Sequence, residues 1–373
     1  MKYYIIAGEA SGDLHGANLM KALYKEDPNA DIRFWGGDLM QYVGGTLVSH
    51  YKERAFMGFF EVLKNLRKVV GFMKFCKRDI GQYRPDVIIF IDNSGFNLRV
   101  AKWAKQQGFT TNYYISPQVW ASRANRIKDI QRDVDSMFVI LPFEKDFYKK
   151  YNYNVEFVGH PLIDAIAEKK QVDEVAFKKE YNLSDKPVIA LLPGSRKQEI
   201  TAMLSVMLSL IDDFSQYQFV IAGAPSQDVS FYQTIIGDRN VSFINNKTYD
   251  LLSISNAALV ASGTATLETA LFKVPQVVCY KGGNISYQIA KRIITLKFIS
   301  LVNLIMDKEV VRELIQNDFN RRNLKLELTK ILDEAHREKL FLEYLDLEKK
   351  LGGKGASEKV AKQIVRNLKQ KKG

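Results

Sequence analysis

Short apolar segments, each followed by a loop of small or polar residues and then by a helical pattern, constrain this fold more than any other feature. The first series of such segments lies at 3–7, 32–35, 85–91, 110–115 and 136–141. The second series lies at 187–192, 218–222, 241–244, 257–261 and 276–280. Strands that alternate with helices are typical of βαβ units and parallel sheets. The sequence therefore predicts an α/β protein with two sheets.

A charged, helical stretch at 168–186 separates the two series. We therefore predict two Rossmann-like, doubly wound domains that face a cleft, one at 1–170 and one at 185–345. C-terminal helices follow, and a basic helical tail is expected at 346–373. Ligands of such sheets bind beyond the carboxyl ends of the strands, so the loops that follow the strands are the candidate sites.

The charge of the chain narrows the class of partner. Its 373 residues include 54 Lys and Arg against 42 Asp and Glu, and this formal net charge of +12 favours acidic partners. No segment approaches the roughly 18 apolar residues that a membrane span needs, and the N-terminus does not resemble a signal peptide. We expect a cytoplasmic protein that meets a membrane only at its surface.

Metal ligands are sparse in this sequence. Cys76 and Cys279 lie far apart without CxxC spacing, and the four histidines form no HxxxH pair. Asp133 and Asp135 match a DxD pattern, but they precede a strand instead of following one. The sequence predicts neither a metal site nor a disulfide scaffold.

The glycine-containing segment 8–16 follows the first predicted strand. It matches neither the Walker loop nor the GxGxxG fingerprint, but it places backbone N–H groups and a helix N-terminus where anions or hydroxyls can bind. A plain tight turn is the alternative. The polar side chains of Glu9, Asp13 and His15 favour a functional loop.

Asp92 directly follows the apolar strand 85–91. A carboxylate between apolar walls has a raised pKa and can act as a general base. Asp92 can also serve as the N-cap of the next helix, and the sequence leaves both roles open.

The first strand of the second series leads into Ser195 and Arg196. This loop offers a hydroxyl, backbone donors and a guanidinium, a set that suits a phosphate or diphosphate. A solvated surface arginine is the alternative interpretation.

Small residues at Gly263, Thr264 and Ala265 open a helix after the strand 257–261. Small side chains at a helix N-terminus let a diphosphate approach the helix dipole. Glu268 lies one turn further on and is either an acceptor for ribose hydroxyls or a solvated helix residue.

Segment 57–78 combines large apolar residues with six Lys or Arg and a single acid. A basic amphipathic helix of this kind suits an anionic membrane surface, whereas a core helix with a solvated basic face is the alternative. The aromatic residues form no recognisable nucleic-acid motif, so no nucleic-acid partner is expected. The residues predicted to face acyl chains or the membrane are Phe59, Phe60, Leu63, Phe72 and Phe75.

Seven motifs in a fixed order carry a resemblance to a known family. They are AGEASGDLHGA at 7–17, MGFFEVL at 57–63, SPQVWA at 116–121, LPFE at 141–144, VGH at 158–160, LPGSR at 192–196 and SGTATLE at 262–268. Together they resemble the lipid-A-disaccharide synthase family over nearly the whole chain.

This resemblance implies a GT-B glycosyltransferase that uses no metal or other cofactor. Such an enzyme joins UDP-2,3-diacylglucosamine to 2,3-diacylglucosamine 1-phosphate with inversion at the anomeric carbon, and releases UDP. The family works at the cytoplasmic face of the inner membrane and dimerises through its C-terminal half. Asp92 matches the proposed general base of the family, and Asn303 matches an asparagine that lies near the nucleotide.

One departure from the family pattern concerns the base. The family usually has Asp-x-Pro-Asp-Phe-Asn where this chain has DNSGFN at 92–97, so the second carboxylate is replaced by Gly95. This difference leaves His15 and Glu9 as alternative bases to Asp92.

Two other functions remain open at this level. Another GT-B enzyme of UDP-sugars, either an N-acetylglucosaminyltransferase or a UDP-sugar epimerase, would share the predicted fold. A non-catalytic protein that binds anionic lipid or nucleic acid through its positive charge is the second alternative.

Overall fold

The computed structural model describes residues 1–54, 66–122, 126–169, 171–282 and 297–372. It divides the chain into two compact units. Unit 1 comprises Met1–Asp164 together with Leu351–Gly373, and unit 2 comprises Ala165–Lys350. The range 346–373, expected from the sequence as a separate tail, is therefore divided, and its residues from Leu351 onward belong to unit 1.

Unit 1 contains a sheet of parallel strands: β1 (Lys2–Ala7), β2 (Asp31–Gly36), β3 (Thr46–His50), β4 (Val87–Ile91), β5 (Thr111–Tyr114), β6 (Ser136–Val139) and β7 (Glu156–Phe157). Their order across the sheet is β3-β2-β1-β4-β5-β6-β7. The central strand β4 is buried along its whole length, because helices cover both faces of such a sheet, and it is accordingly a continuous apolar run.

Unit 2 contains a second parallel sheet: β8 (Val188–Leu192), β9 (Gln218–Gly223), β10 (Ser242–Asn245), β11 (Ser255–Ala261), β12 (Gln276–Tyr280) and β13 (Glu313–Ile315). Their order is β10-β9-β8-β11-β12-β13. Two parallel α/β sheets agree with the fold class predicted from the sequence.

The helices connect the strands and cover the sheets. In chain order they are α1 (Ala10–Glu26), α2 (Asp38–Val43), α3 (Leu66–Tyr83), α4 (Ser94–Gln106), α5 (Val119–Ser122), α6 (Ile127–Asp133), α7 (Pro142–Lys149), α8 (Pro161–Ala167), α9 (Glu174–Glu180), α10 (Lys197–Leu208), α11 (Val229–Ile236), α12 (Thr248–Ser253), α13 (Thr264–Leu271), α14 (Leu301–Met306), α15 (Arg321–Leu332), α16 (Glu334–Lys350) and α17 (Ala356–Lys372). Single 3₁₀ turns occur at Tyr51–Arg54 and Ile211–Phe214.

The two faces of the first sheet bury separate apolar clusters. Alternate residues of β1 point to opposite faces, so Tyr3 and Ile5 join one cluster while Tyr4 and Ile6 join the other. The first of these clusters is completed by five residues of α17: Val360, Ala361, Ile364, Val365 and Leu368. The C-terminal helix is thus part of the core of unit 1.

The apolar pattern of the sequence does not predict β3, β7 or β13. All three strands lie at the edges of their sheets, and their residues are mostly exposed or half-buried. An edge strand needs no continuous apolar run, because part of its surface stays in contact with water.

Each sheet has a switch point, where the chain reverses the side on which it adds strands. In unit 1 this point lies between β1 and β4, and in unit 2 it lies between β8 and β11. Doubly wound sheets bind their ligands at the carboxyl ends of the strands that flank the switch point. The loops singled out in the sequence, at 8–16, 92–97, 193–196 and 262–268, all begin at these strand ends.

Candidate active site

Glu9 and Asp92 lie at the switch point of the first sheet. The last residues of β1 and β4 are paired, so Gly8 and Asp92 leave the sheet side by side. A Cβ atom at Gly8 would lie 2.0 Å from Nδ2 of Asn93, so a glycine is required where the two loops meet. Glu9 follows as the N-cap residue of α1 and is exposed.

The backbone of Asp92 is held in the left-handed region, with φ at 46°, and the next residue, Asn93, has φ at 43°. Three hydrogen bonds fix it there. Nδ2 of Asn97 donates to the Asp92 carbonyl oxygen at 2.8 Å, and the hydroxyl of Tyr113 donates to the same oxygen. The Asp92 N–H donates to the carbonyl oxygen of Tyr114 at 3.3 Å.

Asp92 is an exposed residue, and no side chain in the described ranges donates a hydrogen bond to its carboxyl group. The protein atoms around this carboxyl group partly desolvate it, which raises the pKa of Asp92, and the negative charge of Glu9 adds to this effect. Asn93, not Asp92, is the N-cap residue of α4, so the alternative role as a helix cap is wrong. The geometry leaves Asp92 as an accessible proton acceptor with increased basicity.

His15 does not lie in a loop. Helix α1 begins at Ala10, so His15 lies in its second turn, close to His160. Burial lowers the pKa of His15 to about 4. Burial, together with the nearness of His15, lowers the pKa of His160 to about 3. Nδ1 of His15 is buried without a hydrogen-bond partner in the part of the chain that the structure describes. Both rings are neutral at neutral pH, and His15 is a weak base there.

The glycines of segment 8–16 serve packing. A Cβ at Gly16 would lie 2.5 Å from Sδ of Met40, and one at Gly12 would lie 3.2 Å from the Cβ of Ala7. The buried carboxylate of Asp13 accepts backbone N–H groups at the start of α2, including that of Gly37 at 2.7 Å. Asp13 therefore caps α2 and does not face a ligand, contrary to the functional interpretation of this loop.

Sequence reasoning missed a buried polar pair at the carboxyl ends of β5 and β6. The Ser116 hydroxyl donates a hydrogen bond to Oε1 of Glu144, and both side chains are buried. Burial raises the pKa of Glu144 to about 7. Ile115, just before Ser116, has φ at 65°, a rare conformation for a β-branched residue that costs about 1–3 kcal/mol. Two motifs of the family resemblance contain this pair, but the sequence does not show that they meet.

Ser195 and Arg196 lie at the switch point of the second sheet and are both exposed. The turn before them needs glycine, because Gly194 has φ at 103°. Arg196 is the N-cap residue of α10, and its guanidinium donates to Glu199 at 2.9 Å. A bound phosphate can replace this exposed partner at little cost, since such surface pairs contribute about 0–1 kcal/mol.

The second loop of this switch point leaves open space for a ligand. Gly263 is the N-cap residue of α13, and a Cβ placed there meets no atom within 4 Å. Gly263 and Thr264 are exposed and Ala265 is half-buried. The carboxylate of Glu268 accepts the Tyr249 hydroxyl at 3.0 Å, and burial raises the pKa of this carboxyl group. Glu268 is thus a bonded residue and not a solvated one.

Asn303 is completely buried, and its amide is committed within the protein. Nδ2 donates to the Val311 carbonyl at 2.8 Å and to Glu313 at 2.9 Å, while Oδ1 accepts the N–H groups of Val310 and Val311. Asn303 thereby ties α14 to the segment before β13. The expectation that it lies near the nucleotide stays a prediction.

The predicted membrane-facing set is only partly described. Phe59, Phe60 and Leu63 lie outside the described residues. Phe72 and Phe75 pack against the buried ring of Trp35, with ring centroids 6.5 Å and 5.9 Å away. They are therefore attached to the core of unit 1, although Phe75 stays 36% exposed.

The DxD residues have structural partners. Asp133 pairs with Arg132 at 2.6 Å, and Asp135 accepts the backbone N–H of Thr111 at 2.9 Å. Within the described ranges, no cluster of three or more His, Cys, Asp or Glu could hold a metal ion. Nor does any helix among those residues have the length and apolar character required to cross a bilayer.

Solved enzymes of similar fold include two UDP-N-acetylglucosamine 2-epimerases and a glycosyltransferase. A putative UDP-N-acetylglucosamine 2-epimerase from Listeria monocytogenes aligns with a TM-score of 0.69 at 13% identity, covering 99% of this chain and 97% of that one. A UDP-GlcNAc 2-epimerase from Methanocaldococcus jannaschii, in complex with UDP-GlcNAc and UDP, gives 0.67 at 13% identity, with 99% and 100% covered. The glycosyltransferase of kitacinnamycin gives 0.65 at 12% identity, with 98% and 99% covered. The fold is GT-B, but this likeness alone does not separate a transferase from an epimerase.

Comparison with known protein sequences distinguishes these two classes of enzyme. The family model for lipid-A-disaccharide synthetase matches residues 3–366. Lipid-A-disaccharide synthase of Syntrophus aciditrophicus (strain SB) is 40% identical over 368 residues, 96% of this chain and 95% of that protein. The enzyme of Geobacter metallireducens is 37% identical over 376 residues, covering 99% and 97%. The chain belongs to the lipid-A-disaccharide synthase family, and it is therefore a glycosyltransferase of lipid A biosynthesis.

Proposed function

We propose that this enzyme condenses UDP-2,3-diacylglucosamine with 2,3-diacylglucosamine 1-phosphate. The products are the β(1→6)-linked disaccharide 1-phosphate and UDP, with inversion at the anomeric carbon. Membership of the family supports the substrates. The observation that carries the chemistry is the accessible Asp92 carboxyl at the switch point of the first sheet, with its raised pKa.

In the proposed step Asp92 accepts the proton of the 6-hydroxyl of the acceptor. The oxygen attacks C1 of the donor sugar while the bond from C1 to the UDP oxygen breaks, and the bonding electron pair leaves with UDP. The transition state has oxocarbenium character, as in glycoside hydrolysis. Glu9 supports the step by raising the pKa of Asp92. His15 is disfavoured as the base because burial lowers its pKa to about 4.

Unit 2 is proposed to hold UDP. Its switch point combines the exposed guanidinium of Arg196 and the hydroxyl of Ser195 with the open N-terminus of α13 at Gly263. Backbone donors and a guanidinium stabilise the negative charge that gathers on the leaving diphosphate. Glu268, one turn into α13, is the candidate acceptor for ribose hydroxyls.

Unit 1 is proposed to contact the anionic surface of the inner membrane from the cytoplasmic side. Helix α3 exposes Val70 and Phe75 beside the exposed cations Lys68, Lys74 and Arg78. Apolar residues among cations suit a peripheral contact with anionic lipid. Dimerisation through the C-terminal half remains a prediction, to be measured by analytical ultracentrifugation.

The direct test incubates the enzyme with both acylated substrates in detergent micelles that contain EDTA. Mass spectrometry then measures the UDP and the disaccharide that form. We expect one UDP for each disaccharide. UDP alone at 100 times its Kd should raise the free energy of unfolding by about 2.7 kcal/mol. UDP binding without disaccharide would refute the proposed acceptor. Loss of the product signal in EDTA would refute a metal-free reaction.

A further inference from the structure

Glu144 makes contacts both within its own helix, α7, and with another segment of unit 1. It is the third residue of α7, and its Oε2 accepts the N–H groups of Leu141 at 2.9 Å and Ile140 at 3.2 Å. These contacts cap α7 in the usual way. The other oxygen, Oε1, accepts the hydroxyl of Ser116, which belongs to a different strand connection. One buried carboxylate thus links the end of β6 to the end of β5.

Ser116 lies in a turn with an unfavourable backbone. Ile115 has φ at 65°, which a β-branched side chain rarely adopts, so the surroundings must hold it there. The Ile115 N–H donates to the Phe138 carbonyl of β6 at 3.1 Å. The Ser116 hydroxyl supplies the next attachment along the chain, on Glu144. Both bonds connect this turn to β6 and α7.

The same turn adjoins Asp92. Strands β4 and β5 are neighbours, and their last residues, Ile91 and Tyr114, are paired. Asp92 and Ile115 therefore leave the sheet side by side. The Asp92 N–H bonds to Tyr114, and the Asp92 carbonyl accepts the hydroxyl of Tyr113. A shift of the turn after β5 would move the backbone that supports Asp92.

We propose that Glu144 and Ser116 are positioning residues for the transfer reaction, which hold the turn after β5 and thereby orient Asp92. This inference rests on the proposed function, because it requires Asp92 to be the base. Both oxygens of Glu144 accept hydrogen bonds from donors, and an amide would turn an NH₂ group toward one of them.

The test uses Ser116→Ala, Glu144→Gln and the conservative Ser116→Thr, which keeps a hydroxyl. Asp79→Asn is the control, because Asp79 is also a buried carboxylate of unit 1, bound to Tyr4 at 2.7 Å and to Arg33 at 2.8 Å. We expect Ser116→Ala and Glu144→Gln to lower kcat about tenfold or more, since misplacing a reacting group by about 1 Å can cost about 100-fold. The KM values and UDP affinity should change less than about twofold, as for a loss confined to the transition state. Ser116→Thr should restore most of the rate.

Asp79→Asn should lower Tm while keeping kcat. A structural role alone would give Ser116→Ala the same behaviour, and that result would overturn the inference. If Glu144→Gln fails to fold, the kcat and Tm of Ser116→Ala still test the positioning role.

A double variant that combines Ser116→Ala with Asp92→Asn tests whether Ser116 acts through Asp92. If Ser116 acts through Asp92, adding Ser116→Ala to Asp92→Asn should cause little further loss of kcat, because the two effects are not additive. Full additivity would overturn positioning through Asp92. An active Asp92→Asn enzyme would instead refute the proposed base. An inactive Asp92→Asn together with a normal Ser116→Ala would refute the positioning role alone.

Discussion

The two switch points differ in how their loops are built. In unit 1 the loop after β4 contains Asp92 and Asn93 with positive φ. The neighbouring turn after β5 contains Ile115 with positive φ, and the buried carboxyl group of Glu144 bonds to that turn. In the loops 193–196 and 262–263 that follow β8 and β11, positive φ occurs only at Gly194 and Gly263, and the arginine of these loops is exposed. Proton transfer needs a carboxyl group whose pKa is set by desolvation and fixed geometry, whereas a diphosphate needs open space and donors. The difference predicts that substitutions in unit 1 change turnover and those in unit 2 change nucleotide affinity.

The largest effect should follow Asp92→Asn. Loss of a general base lowers kcat by about 100-fold or more, whereas UDP affinity should stay the same because the residue lies in unit 1. Steady-state kinetics and UDP titration measure the two quantities. An active Asp92→Asn enzyme together with an inactive His15→Ala enzyme would assign the base to His15.

Arg196→Ala should weaken UDP binding, the quantity that Asp92→Asn leaves unchanged. Removing a charged hydrogen bond to the diphosphate weakens UDP binding by about 1.5–3 kcal/mol, roughly tenfold to 100-fold. Calorimetry with UDP measures this loss. The matched control is Arg312→Ala, since Arg312 forms a similar exposed pair with Glu309 at 3.2 Å in the same unit. Equal losses in both variants would show that the effect is general electrostatics.

Glu144→Gln should change how stability depends on pH. The folded pKa of Glu144 is raised to about 7, so this group favours the folded state at low pH and loses that contribution as pH rises through 7. His15 and His160 act in the opposite direction, but only below about pH 6.5, the ordinary pKa of histidine. Between pH 6.5 and 8 the wild type should therefore lose about 1 kcal/mol more than the variant. Urea unfolding at both pH values measures the difference, and parallel changes would contradict the assignment.

The smallest effect should come from the double variant Val70→Ser and Phe75→Ser. Their exposed fractions are 46% and 36%, so only part of each side chain is available, and a loss of about threefold to tenfold in vesicle affinity is expected. Co-sedimentation with anionic vesicles measures it. Leu342→Ser, which alters a 63% exposed leucine of unit 2, is the control. A similar loss of vesicle affinity in the control would show that the membrane contact is not specific to α3.

The sequence predicts the buried strands of both sheets because a strand covered on both faces must be apolar throughout. It does not predict β3, β7 and β13, whose edge positions relax that requirement. The glycines of segment 8–16 suggest a loop, yet Gly12 and Gly16 lie within α1 and allow close packing against Ala7 and Met40. Only tertiary contacts distinguish these two uses of glycine.

The candidate site was predictable where one strand end carries the chemistry, as at Asp92 and Arg196. It was not predictable where distant segments meet. Ser116 and Glu144 are 28 residues apart, and their bond depends on the neighbouring positions of β5 and β6. The sequence also does not show that Asn303 is buried, with its amide bonded inside unit 2. A polar residue type gives no indication of whether its side chain faces inward.

The contribution of α17 to the first core has a consequence for biosynthesis. Unit 2 is continuous in the chain, whereas unit 1 needs residues synthesised after unit 2 is complete. During synthesis on the ribosome, the sheet of unit 1 emerges first, and one of its faces stays partly uncovered until α17 has been made. Unit 2 can complete its core earlier, because all of its residues precede α17. The usual order of co-translational folding, in which the N-terminal domain finishes first, is reversed for the final closure of this chain.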